Sequence, residues 1–71
     1  MTNTELLRAK IDESGYKLQY VAKQIGLTYA GFANKLSGES EFKISEVNGL
    51  VELLKLTSDD MNKIFFAADM E

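Results

Sequence analysis

The apolar positions of this chain fall into five groups with helical spacing, separated by short polar or glycine-containing breaks. Leu6, Leu7 and Ile11 predict a first helix from about Asn3 to Glu13, with Thr2 and Glu5 as a capping box and Ser14-Gly15 as its end. Leu18, Val21, Ala22 and Ile25 stand at i, i+3, i+4 and i+7, one face of a second helix. Gly26 stops that helix, because glycine accepts the left-handed backbone that a helix end favours. Thr28 is placed to cap a third helix, whose stripe is Phe32, Ala33 and Leu36. Residues 37–41, SGESE, show no periodicity and read as a loop, and Phe42 is expected to plug back into the core. Ile44, Val47, Leu50, Val51 and Leu54 predict a fourth helix, in which Gly49 costs about 1 kcal/mol against alanine and which Leu56 closes. Thr57 or Ser58 then caps a fifth, with Asp59 and Asp60 at its positive end and Met61, Ile64 and Phe65 as its apolar face. The tail, residues 68–71, is expected to fray. The fold expected is all-α, five short helices around one core, as one domain over residues 1–71.

The stretch Leu18 to Leu36, LQYVAKQIGLTYAGFANKL, organises the rest. A helix, a glycine turn and a hydroxyl-capped helix at this spacing form the helix-turn-helix pattern. Ala22 is small where the crossing helix has to come close. On Gln19, Val21, Ala22, Ile25, Gly26, Leu27, Thr28, Phe32 and Leu36 the segment resembles the helix-turn-helix of the Cro-like (XRE-like) phage repressor family. The flanks match as well, through Gly38, FKISEV from Phe42 to Val47, the run LVELLKL and Ile64-Phe65-Phe66. The likeness covers roughly residues 4–67. In one respect the chain departs from the pattern: Lys35 stands where many members carry an apolar residue, and Leu36 follows it. The resemblance implies a lambda-repressor-like domain of the kind found in genetic switches of temperate phages of Gram-positive bacteria. Within that group some proteins bind operator DNA, and others modulate repression by binding the main repressor.

Composition narrows the chemistry. Seventy-one residues bury only about 60% of their unfolded surface, near the lower limit for a chain folding alone. Cysteine and histidine are both absent, so thiolate and imidazole metal sites and most nucleophile–base pairs are excluded. No catalytic group, metal set, cofactor or small-molecule substrate is expected. No apolar run approaches the roughly 18 residues of a membrane span, and residues 1–30 lack a signal-peptide pattern, so a cytoplasmic protein is expected. The net charge is −3, but it is unevenly spread. Residues 1–38 carry five cations and three anions; residues 39–71 carry three cations and eight anions. The half with the motif is mildly basic, and the other half is acidic.

In a helix-turn-helix the second helix enters the major groove. With Phe32, Ala33 and Leu36 turned inward, the outward face is expected to hold Ala30, Gly31, Asn34 and Lys35, with Thr28 and Tyr29 at its leading end. Asn34 is the candidate for base readout, since an amide pairs bidentately with adenine. Ala30 suits a thymine methyl, and Tyr29 a sugar or phosphate. Lys35, Lys17 and Lys43 are candidate phosphate contacts, and the resemblance adds Gln19. Each has a plainer alternative: Tyr29 as a core-edge aromatic, Lys35, Lys43 and Gln19 as solvated surface residues, and Ala30 and Gly31 as room for another surface to approach. Leu53, Phe66 and Met70 fall off the inward faces, and either form an apolar patch for a homodimer or partner, or leave Phe66 filling the core.

Two functions remain. One is a Cro-like regulator that binds double-stranded operator DNA and represses transcription. The other is an antirepressor that binds the main phage repressor, whose basic DNA-binding face would attract an acidic surface. Both need the same core, so motif spacing does not separate them.

Overall fold

The computed structural model describes residues 2–66, and all of their regular structure is helical. In chain order the helices are α1 (Thr4–Ser14), α2 (Leu18–Gln24), α3 (Tyr29–Leu36), α4 (Ile44–Leu54) and α5 (Ser58–Phe65). The expected tail fraying, and Met70, lie outside the described residues.

Each helix contributes two inward apolar side chains to a common core, a turn apart in α1, α3 and α4 and adjacent in α2 and α5. Leu7 and Ile11 come from α1, Val21 and Ala22 from α2, Phe32 and Leu36 from α3, Val47 and Leu50 from α4, and Ile64 and Phe65 from α5. Leu56, between α4 and α5, closes one side. Phe32 is fully buried, and burying such a side chain contributes about 2–3 kcal/mol. Phe42 does plug back from the loop: its ring lies edge-on to Phe32 at 6.1 Å and to Phe65 at 6.4 Å between centroids. In this packing α2 lies against α3 and α4, and α1 against α4 and α5.

Gly49 lies where α4 passes Ile25, the residue that ends α2. A Cβ there would sit 2.9 Å from Cγ2 of Ile25, inside any tolerable contact. Its helix-propensity penalty therefore has a steric reason, one that the pattern of apolar positions did not contain.

Four local expectations change. Asn3, not Thr2, caps α1: its Oδ1 accepts the Leu6 N–H at 3.1 Å, and its own N–H donates to the Ile64 carbonyl at 2.6 Å. That tie to α5 fixes Asn3 as the residue from which the helix starts. Ile44 is not on the core face but 75% exposed, because it opens α4 one turn ahead of Val47, and Glu46 takes the inward place instead. Leu53 packs half-buried on the core rather than joining an outer patch. Phe65 is buried while Phe66, the next residue, is 39% exposed, so Phe66 does not fill the core.

The start of α5 follows the sequence. Thr57 Oγ1 accepts the Asp60 N–H, and Asp60 accepts the Thr57 N–H, each at 3.1 Å. The Thr57 N–H, joined by Lys10 at 3.4 Å, holds the Asp60 carboxyl below its ordinary pKa and ties α5 to α1.

Candidate functional site

The α2–α3 turn is built from backbone demands. Gly26 has φ +80°, the left-handed region that side chains resist, and the Leu27 N–H bonds back to the Ala22 carbonyl at 2.9 Å. The chain then extends through Thr28, whose Oγ1 accepts the Gly31 N–H at 3.0 Å and starts α3. A Cβ on Gly31 would lie 3.1 Å from that same hydroxyl. Gly31 is half-buried and serves the cap; it is not an open recognition position as expected.

The outward face of α3 is smaller than the sequence implied. Thr28, Tyr29, Ala30 and Asn34 are exposed, with Tyr29 at 51%. Lys35 is not on this face. Its ammonium reaches back to Oε1 of Glu46 on α4 at 2.5 Å, and its side chain is largely buried. The rotation that sends Phe32 and Leu36 inward carries the intervening Lys35 to the α4 side. There its Nζ also stands 6.0 Å from the Phe42 ring centroid.

Glu46 collects more than Lys35. Its Oε1 also accepts the Lys43 backbone N–H at 2.9 Å, so this carboxylate caps α4 from within. Lysine has no acceptor to return, so only this half of a capping box forms. Glu46 is 6% exposed. Burial acts to raise its pKa. The Lys35 hydrogen bond, the Lys43 N–H and the charges of both lysines together outweigh burial and hold the carboxyl below its ordinary value of 4.5. Lys43 itself is exposed at the head of α4.

Three expected residues do come together. Lys17, Gln19 and Tyr29 line an open groove of about 470 Å³ whose floor is Leu18. It joins an ammonium, an amide and a phenol, all exposed, at the start of α2 and α3. A second groove meets it at Leu18 and is lined by Arg8, Ile11, Asp12 and Tyr16.

Two tyrosines at this end escaped the sequence reading. Tyr16 and Tyr20 are 40% and 44% exposed, and their ring centroids are 5.0 Å apart. With Tyr29 they are all the tyrosines of the chain. Their separation by four residues was a usable signal, although Tyr16 precedes α2. The opposite end of α3 is anionic. Glu39 and Glu41 are exposed in the loop after it, and Ser37 Oγ donates to Glu39 at 3.5 Å.

Among the described residues no cluster of three or more metal-ligating side chains occurs, and no helix is long and apolar enough to cross a membrane. The chain matches no protein-family model, no curated protein and no solved structure.

Proposed function

We propose that this protein is a cytoplasmic regulator of a phage genetic switch that acts through the exposed face of α2 and α3. Its partner is the main repressor protein, whose DNA binding it alters. One observation carries the choice of partner: the outward face of α3 presents Tyr29, Ala30 and Asn34, while the helix's single lysine is held by Glu46. The outward face of α3 itself therefore presents no cation to a phosphate backbone. The exposed carboxylates Glu39 and Glu41 beyond α3 would repel a DNA backbone and attract a basic protein surface. Exposed tyrosines add large, stiff contact area of the kind enriched at the centres of protein interfaces.

Operator binding, the Cro-like activity, is the second reading, and it has its own support. Lys17, Gln19 and Tyr29 around one groove offer donors suited to a phosphate, and Asn34 remains free to read a base.

Fluorescence anisotropy on duplex DNA from the region flanking the protein's own gene separates the two, at low and moderate salt, with and without the neighbouring repressor. The expected result is only weak, non-specific duplex binding by this protein alone, seen at low salt, and loss of the repressor's DNA binding when it is added. Tight binding alone that weakens steeply with salt would instead establish the operator reading.

A further inference from the structure

We propose that Glu46 determines what the α2–α3 face binds, by holding Lys35 in an interior ion pair and so withholding it from phosphate. The inference rests on the reading of α2–α3 as the contact face and names the residue that sets its preference.

Lys35 is the only cation of α3 and follows the exposed Asn34 directly. It also lines a cleft with Ser37, Gly38 and Ser40, so its ammonium has an open route to solvent past the end of the helix. Glu46 blocks that route by supplying a buried carboxylate fixed at its other contact by the Lys43 N–H. Glu41 lines the same cleft, but it is exposed, and an exposed carboxylate holds an ammonium weakly. Stability alone is a weak reason for this arrangement, since a buried ion pair gives little net gain over an apolar pair of similar volume. What the pair does uniquely is hold on the α4 side a long, flexible ammonium that would otherwise swing toward the edge of the contact face. Released, Lys35 would add one phosphate contact next to Asn34.

The variant Glu46→Gln tests this. Glutamine keeps an acceptor for the Lys43 N–H but drops the charge that holds Lys35. Its binding to a mixed-sequence duplex of about 20 base pairs, a length that spans a helix-turn-helix footprint, is compared with wild type by anisotropy across a salt series. Each added phosphate contact steepens the dependence of log K on log salt by about 0.9, so the variant should lose roughly threefold more affinity than wild type over a fourfold rise in salt. In the double variant Lys35→Met/Glu46→Gln the slope should return to the wild-type value. An unchanged slope in Glu46→Gln overturns the proposal. So does a double variant with a shallower slope than wild type, because Lys35 would then already be contacting phosphate. The double variant leaves no unpaired charge, so this second comparison stands even if Glu46→Gln folds poorly. Duplex binding is read without the repressor, so failure here is distinct from failure of the repressor to bind.

Discussion

The two ends of α3 are held by different physics. Its N-terminal end is fixed by the chain's own geometry over six residues, through the positive φ of Gly26 and the Thr28 hydroxyl on the Gly31 N–H. Its C-terminal end is fixed across the fold, by Lys35 meeting Glu46 eleven positions later. The first device leaves the surrounding side chains free to meet a partner. The second consumes the side chain it uses. A lysine on a surface helix is thus no guarantee of a cation on its outward face.

Breaking each end separately sharpens this contrast. The largest effect is expected at the C-terminal end. Glu46→Ala removes the ion pair, leaves the Lys43 N–H without its acceptor and empties the space the buried side chain filled, and should destabilise the fold by about 2–3 kcal/mol; a thermal midpoint close to wild type would show the pair to be incidental. At the N-terminal end, Gly26→Val forces a β-branched residue into left-handed backbone and should lose roughly 2 kcal/mol in denaturant titration. Thr28→Ala removes only the cap, and a loss of about 1 kcal/mol is expected. If Thr28→Ala proved more damaging than Gly26→Val, the geometric account of this end would be wrong.

Acid distinguishes the ends by a second route. The folded pKa of Glu46 lies below its unfolded value of 4.5, so its contribution is fully present above pH 4.5 and is lost as pH falls through the folded value. The stability gap between wild type and Glu46→Gln should therefore narrow on acidification, while the gap between wild type and Thr28→Ala stays constant. Parallel pH profiles for all three proteins would contradict the linkage. Smallest in stability is Asn34→Ala, which touches neither end: a change within about 0.5 kcal/mol is expected, with measurably weaker partner binding. Unaltered affinity for both DNA and repressor would remove Asn34 from the face.

The same division explains how much could be read in advance. The N-terminal end was legible because its determinants are adjacent in sequence and each has a local meaning: apolar spacing to Ile25, then Gly26, then Thr28. The five helices and most of the core followed from the same kind of local periodicity. The C-terminal end was not legible. Nothing in the spacing of Lys35 and Glu46 announces a contact across the loop between them, and each taken singly resembles an ordinary charged residue. Ile44 failed for a related reason. It has the right period for the α4 stripe, but periodicity does not reveal where neighbouring helices stop. The outward side of α3 is thus smaller than expected: Gly31 is half-buried and Lys35 turns toward α4, while Tyr16 and Tyr20 are exposed.

The placement of the tyrosines has an optical consequence. The chain contains no tryptophan, and its three tyrosines all lie exposed between residues 16 and 29. The tyrosine emission of this protein therefore originates wholly from side chains on or just before α2 and α3. A partner seated there perturbs the intrinsic signal without any label, whereas one bound along Glu39 and Glu41 alone leaves it almost unchanged. The unmodified protein reports which of its surfaces is occupied.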